Sequence, residues 1–322
     1  MVNDSTDIKP KTATGSTQWQ SLKPTDIVTT EQSHMLRQRS DWWGFYLILH
    51  AWGIIIGATL LYALVPNIFT FLIAIILIGG RQLGLAILMH EGSHAMLFKS
   101  RILNERITTW FAAWPMIINM QEYRKRHMAH HRFTRTDKDP ENFLYTPFPV
   151  KPDSMIRKVL RDLTGIAFLR GQIGLFRAVA GEKEGRFTRI KAYYSGPILF
   201  NAALLAISAL MGRIDLFFLM WLLPMATVQQ LFVRVRNIAE HSTMPDLEDP
   251  LKNSRTTLTN IVGRATFAPY WVNYHIEHHM MPFVPCYRLK TLHEIMIDKG
   301  FGERMEIQKG YWNVLKLNAS AH

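Results

Sequence analysis

The chain alternates long apolar blocks with polar, basic stretches, and the blocks set its architecture. Residues 43–65 carry no Lys, Arg, Asp or Glu. At about 1.5 Å of rise per helical residue they cross a hydrocarbon core of roughly 30 Å. Pro66-Asn67 breaks that block, and a second follows over about 67–88, passing through Gly79-Gly80-Arg81. A third block covers about 196–212 and a fourth about 215–234, with Gly212-Arg213-Ile214-Asp215 at their junction. The pattern predicts four transmembrane helices as two hairpins in an all-α integral membrane protein. Buried core helices of a soluble protein are the competing reading, and four blocks paired by short turns argue against it. A positive charge at mid-bilayer costs about 2.5–3.5 kcal/mol, so Arg81 is expected near the membrane boundary, on a helix that projects beyond the lipid.

The segments between and after the hairpins, 89–195 and 235–322, are expected to form a helical cap, so that residues 42–322 make one domain. Residues 1–41 are polar, lack a charged-then-apolar leader pattern, and read as a flexible lead. The stretch Ile107 to Met120 is apolar but too short to span, which predicts an interfacial or re-entrant helix. Its Trp110 and Trp114 suit either an aromatic belt at the interface or the lining of a channel. Residues Met155 to Val179 mix Arg157, Lys158, Arg161, Arg170 and Arg177 with Leu, Ile and Phe. They predict amphipathic helices resting on lipid headgroups, and their cations also suit an acidic protein partner.

Charge adds orientation. Residues 97–195 hold 19 Lys and Arg, whereas the hairpin turns hold only Arg213; the cap and both termini are therefore expected on the cytoplasmic side. A net charge of +12 raises the question of nucleic acid, but no nucleic-acid motif accompanies it, and it reads as topology charge plus attraction to anionic lipid. Cys286 is the only cysteine, which leaves no disulfide framework, thiolate zinc knuckle or iron–sulfur cluster within the chain and fits a reducing compartment.

The histidines carry the candidate chemistry. Nine of 13 fall in four clusters: His90 and His94 in HEGSH, His127, His130 and His131 in HMAHH, His241 in NIAEH, and His275, His278 and His279 in HIEHH. HEGSH alone satisfies the H-E-x-x-H spacing of a zinc protease, with two imidazoles one turn apart and Glu91 as general base. In H-x-x-H-H, however, three imidazoles fan across about one turn and can serve two adjacent metals. Nine imidazoles are too many for one tetrahedral zinc and suit two metals of higher coordination number. Imidazole itself suits zinc, copper, iron and nickel alike. Glu91, Glu240, Glu277, Asp137 and Asp139 stand beside the boxes as candidate acceptors for the outer N–H of ligating imidazoles.

These boxes, with the extended third motif NYHIEHHMMPFVPCYRL, resemble the membrane fatty acid desaturase superfamily, which includes related hydroxylases, over about residues 40–300. The resemblance implies a four-helix stem under a cytosolic cap and two irons held by His90, His94, His127, His130, His131, His241, His275, His278 and His279. Asn237 matches an asparagine that reaches a metal through water in the animal acyl-CoA branch. It implies oxygen-dependent introduction of a double bond into a lipid-linked acyl chain, with dioxygen as co-substrate. Electrons would come from a separate donor of ferredoxin, rubredoxin or cytochrome b5 type, since no fused cytochrome b5 motif is present. The three-residue spacing within HEGSH is that of acyl-lipid and many bacterial members, which places the expected protein in a bacterial inner membrane. Met280-Met281 departs from the commoner Leu-Phe. A hydroxylase or desaturase of another hydrophobic substrate (a carotenoid, sphingolipid or amino-acid-derived ether) is the alternative. More distant are an intramembrane HExxH zinc protease and a membrane protein that only binds metal.

Overall fold

The computed structural model describes residues 22–321. Four helices long and apolar enough to cross a membrane run Asp41–Leu64, Ile68–Ser93, Arg186–Leu210 and Ile214–His241; they are the first to fourth spans below. Each contains its predicted apolar block or nearly all of it. The second, third and fourth continue beyond their blocks at the cap end, so HEGSH and His241 ride on the spans themselves. The tight first turn follows from Asn67, whose Oδ1 accepts from the backbone N–H of Phe69 and Thr70 at 2.9 and 3.0 Å and starts the second span at once. Among the described residues the architecture is all-α apart from one parallel pair of three-residue strands, Thr256–Leu258 with Ile307–Lys309.

Two stretches of irregular backbone lie among the spans. Thr109–Ala113 and Phe217–Leu222 are π-helical, Trp114–Met116 is 3-10, and Thr227 interrupts the fourth span at φ −125°, ψ −87°. Such backbone frees carbonyls that lipid cannot satisfy, so it persists only where protein donors reach it. Here Trp52 Nε1 donates to Phe111 O at 2.9 Å, Gln82 Nε2 to Trp221 O at 2.8 Å, and Asn201 Nδ2 to Trp114 O at 3.2 Å. Thr227 Oγ1 closes on Leu223 O at 2.6 Å. The stretch Ile107 to Met120 is therefore no single interfacial helix. It ends the helical run that begins at Arg101, turns at Ile117 (φ 58°), and hands over to Met120–Phe133, which carries the second box. Trp110 is exposed, while Trp114 presses on Gly196 of the third span, where a Cβ would sit 2.1 Å from the indole.

Arg81 is covered by the cap and does not project into water. Its Nη2 donates to Arg264 O and Ala265 O at 2.8 and 3.0 Å, and its guanidinium lies 5.3 Å from the centre of the Tyr270 ring. Carbonyl dipoles and an aromatic face replace the hydration shell that the charge loses. The region 155–179 forms two helices, Pro152–Leu163 and Ile166–Ala180, whose exposed apolar side chains recur at Ile156, Leu160, Leu163, Ile166, Leu169, Ile173 and Phe176. Inward, Met155 and Phe168 pack on the core, and the buried Asp162 accepts from Arg234 Nη2 at 2.7 Å. The exposed apolar row along both helices suits the interfacial placement the pattern predicts.

The expectation of a flexible lead over 1–41 is corrected from residue 22 onward; residues 1–21 lie outside the described residues. Pro24–Ile27 and Thr30–Leu36 are helical, and Thr29 and Gln32 form a capping box at 3.1 and 3.0 Å. Ile27, Val28 and Leu36 are buried in the core, each contributing about 1.5–3 kcal/mol, enough to order a short segment that composition alone marks as polar.

Candidate metal centre

The nine box histidines converge into two adjacent groups. His90, His94, His127, His131 and His278 form one, and His130, His241, His275 and His279 the other, with the candidate ligand atoms of each group all within 4.8 Å of one another. Helical spacing makes the division. In Met120–Phe133 the i and i+4 positions His127 and His131 turn to the first group while His130 turns to the second. In His275–Met280, His275 and His279 share one face and His278 takes the other. The second span brings in the HEGSH pair, and the fourth brings in His241.

The spacing of the nitrogens tests whether metals fit. His94, His127, His131 and His278 stand in succession with Nε2–Nε2 separations of 3.0, 3.0 and 3.0 Å. In the second group His241–His275 and His275–His279 are 2.8 and 3.1 Å. Nitrogens bound to one ion at about 2.0–2.1 Å and at right angles lie about 3 Å apart, so these separations are edges of a coordination polyhedron. Hydrogen bonding does not account for them, because His131 Nε2 faces two other Nε2 atoms and a neutral ring has one proton to give. His90 is only 2% exposed, yet neither of its ring nitrogens has a hydrogen-bond partner, an orphaned state that a metal ion removes. Burial holds six of the cap imidazoles neutral, with the charge of neighbouring histidines or arginines acting in the same direction. His94 is lowered to about 3 and His131 to about 2, and His127, His275, His278 and His279 are lowered well below the usual value. Neutral imidazole is the form that binds metal.

The outer nitrogens differ between the groups. His130 Nδ1 lies 2.9 Å from Asp139 Oδ1, and Tyr145 donates its hydroxyl to the other oxygen of that carboxylate. Burial pushes Asp139 up, but the hydrogen bonds from His130 and Tyr145 outweigh it and hold the carboxyl well below the usual range. His241 Nδ1 reaches Asn253 O at 3.3 Å, and His279 Nδ1 reaches Thr134 Oγ1 at 3.4 Å. His275 Nδ1 is 3.5 Å from Glu240 Oε1, which Arg236 also holds at 2.6 Å.

Of the candidate acceptors, Asp139 and Glu240 stand beside candidate-ligand imidazoles. Glu91 Oε1 is 3.4 Å from His90 Nδ1, while its Oε2 accepts from the backbone N–H of Cys286 at 2.9 Å. Glu91 thus faces the outer side of its ring and not the interior of the group, which removes the general-base role that a protease needs. Glu277 is a correction: it touches no ligand, because it projects from the opposite face of its short helix to Thr256 Oγ1 and His293 Nδ1, both at 2.5 Å. Asp137 is exposed on the surface. Tyr145, Thr134 and Asn253 are absent from the residues the pattern singles out. Only Thr134, four residues after His130 on the same helical face, carried a local signal.

Asn237 lies one turn before His241 and lines a cavity of about 20 Å³ together with Tyr123, His130, Glu141, Tyr145 and His241. That volume holds one water molecule. The space beside the four-imidazole group is thus partly enclosed, of mixed polar and apolar lining, and sized for a single water molecule.

The profile of the family described as fatty acid desaturase matches residues 66–304, a span that contains all nine histidines. The dihydrorhizobitoxine desaturase of Bradyrhizobium elkanii is 29% identical over 264 residues, which cover 77% of this chain and 74% of that protein.

Proposed function

The chain belongs to the fatty acid desaturase family, and from that premise we propose that it is an oxygen-dependent, two-iron desaturase acting on a lipid-linked acyl chain. Family membership makes it an oxidoreductase of desaturase or hydroxylase type. The observation that supports the finer reading is the pair of imidazole groups buried at the cap ends of the second and fourth spans. That places the groups next to the membrane-spanning segments, where an acyl chain resides.

His90, His94, His127, His131 and His278 would hold one iron, and His130, His241, His275 and His279 the other, with Asn237 acting through a water. Bound iron supplies the activation of dioxygen that oxidation of an unactivated C–H bond requires. The chain's own work is to present neutral ligands, to fix the His130 ring through Asp139, and to keep bulk water out by burial. In the net reaction the substrate loses two vicinal hydrogens, two electrons and two protons enter, and dioxygen leaves as two waters.

The second reading is desaturation of another hydrophobic substrate. It is favoured by the relative whose name specifies dihydrorhizobitoxine and no fatty acid. We place both termini and the cap on the cytoplasmic face of a bacterial inner membrane, on the strength of the basic asymmetry between cap and hairpin turns, and we expect a separate electron donor. Comparative lipid profiling of cells with and without the gene, with iron counted on anaerobically loaded protein, tests the main reading. New unsaturated acyl chains and about two irons per chain are expected. One zinc per chain with oxygen-independent activity would overturn it. A reporter at Arg213 should lie on the opposite side of the membrane from one at either terminus.

A further inference from the structure

The cap carries an open pocket of about 390 Å³ lined by Ser93, His94 and Ala95 at the end of the first box, by Arg101 and Arg124, and by Phe283 beyond the third box. It belongs to the solvent side: apart from Ser93, none of these residues lies in a span. His94 is one of the five imidazoles of the first group, and it is among the members that retain some exposure. The pocket therefore gives the outside of the protein an approach to a ligand ring.

The edge of the pocket is cationic. Arg37 stacks its guanidinium 4.3 Å from the centre of the Phe283 ring, Arg39 Nη1 donates to Ala95 O at 3.0 Å, and Arg124 Nε donates to Ser93 O at 3.0 Å. Arg101 is exposed. Against these four arginines stand Glu105, already paired with Arg124 at 2.6 Å, and Asp41, which accepts from Ser100 N–H at 2.8 Å, so four positive charges less two negative leave a formal +2. Beside them Ile102 and Met128 expose apolar surface at 65% and 37%. A charged rim about an apolar centre suits a transient protein contact. A hydrocarbon substrate gains nothing from an open pocket edged with guanidinium groups.

We propose that an acidic one-electron carrier protein docks on this pocket and passes its electrons inward through the ring of His94. The proposal rests on the oxidoreductase reading above, because that reaction consumes two electrons and the chain's single cysteine leaves it no iron–sulfur cluster of its own. Two reduced carriers dock in turn, and each is oxidised by one electron. Two protons from solvent complete the reduction of dioxygen to two waters as the substrate loses two hydrogens. The surface also relocates the cations that serve the partner: those of 157–177 border helices whose apolar faces suit lipid, and those of 37–124 surround a metal ligand.

The test uses iron-loaded, full-length protein in nanodiscs and an acidic plant-type [2Fe–2S] ferredoxin as the probe. The protein is reduced without oxygen either by reduced ferredoxin or by dithionite with methyl viologen, and excess reductant is removed before dioxygen is added. The rate is read as product formed per time of reduction, and binding of fluorescently labelled ferredoxin is measured in parallel at low and high salt. For the Arg37→Glu/Arg101→Glu double variant, the ratio of ferredoxin-driven to dithionite-driven rate is expected to fall at least tenfold. Its affinity for ferredoxin is expected to fall likewise and to lose the salt dependence of the wild type. Arg170→Glu, on the lipid-facing side, should leave both readouts at the wild-type value. A double variant indistinguishable from wild type in ratio and affinity overturns the proposal, as does wild-type protein that shows no saturable ferredoxin binding. If dithionite drives no oxygen-dependent turnover at all, the oxidoreductase reading fails, and the binding arm alone decides whether the surface docks an acidic protein.

Discussion

The two imidazole groups are drawn from the same boxes, yet one is braced by more partners than the other. In the four-membered group, His130, His241 and His279 turn their outer nitrogens toward Asp139, Asn253 O and Thr134, while His275 makes no hydrogen bond there and has only Glu240 at 3.5 Å. In the five-membered group, the outer nitrogens of His127 and His278 meet nothing, and His90 has only Glu91 at 3.4 Å. An imidazole whose second nitrogen is hydrogen-bonded is fixed in tautomer and orientation and is more basic toward a metal. The four-membered group thus gains from partners what the five-membered group gains from number. The contrast also matches their surroundings: the water-sized cavity at Asn237 is lined by His130, His241 and His275 of the group with fewer candidate ligands.

The largest effect expected is loss of a ligand from either group. His278→Ala removes a member of the five and His130→Ala a member of the four, and each should eliminate oxygen-dependent turnover and lower bound iron from about two per chain toward one. Retention of full activity and metal by both variants would mean that the two groups are not the centre. If iron binds in two steps, the comparison sharpens further: His130→Ala should abolish one step and His278→Ala the other.

Bracing is tested by Asp139→Asn. The amide keeps the size of the side chain but loses the charge that holds His130 Nδ1–H and the Tyr145 hydroxyl. Loss of such an outer partner costs roughly 10- to 100-fold in metal affinity or activity. The weakened site should be the one shared with His241, His275 and His279, read as a single weakened step in an iron titration. Equal weakening of both steps would show that the groups do not act separately.

Much of this arrangement is local and was therefore legible. The i, i+3, i+4 spacing of HMAHH and HIEHH already requires imidazoles on two faces, and the apolar blocks give the spans because lipid demands unbroken apolar length. What could not be read is contact between distant segments. Asn253 acts through a backbone carbonyl, which has no sequence signature, and Tyr145 finds Asp139 across a loop. Glu277 misled because its place between two ligands says nothing about the face it occupies on a six-residue helix. In the N-terminal segment a signal was present, Thr29-Thr30-Glu31-Gln32 followed by apolar residues, but polar composition masked it. Arg81 was legible as a cost, and its solution, carbonyls nearly two hundred residues later, was not.

Acid should strain both groups in the metal-free protein. In the unfolded chain an imidazole takes up a proton near 6.5, whereas the folded values for His94 and His131 are about 3 and 2 and those of His127, His275, His278 and His279 are also well lowered. Below 6.5 the unfolded state thus binds more protons than the folded state, so stability falls as pH falls, by roughly 1.4 kcal/mol per pH unit for each proton involved. Thermal melting of metal-free protein in detergent should show the midpoint dropping once pH passes below about 6.5. A midpoint that stays level through that region would show that the imidazoles are not buried as a group.

The smallest effect should come from Glu91→Gln. Glu91 is the residue on which a protease reading stands, because a zinc protease needs this carboxylate to activate water and would lose its activity with the substitution. In the structure, Glu91 sits 3.4 Å from the outer nitrogen of His90, a poor hydrogen bond, and its better contact is the 2.9 Å bond accepted from Cys286 N–H. Glutamine keeps an oxygen that can accept from Cys286 and forfeits only the charge facing His90. The loss should therefore fall at the lower end of the range for outer partners, about tenfold, and should appear in the five-membered group alone. Assay for oxygen-dependent product beside Asp139→Asn in the same host gives the ranking. Complete loss in Glu91→Gln, with Asp139→Asn unaffected, would reverse the comparison and make the HEGSH pair a site of its own.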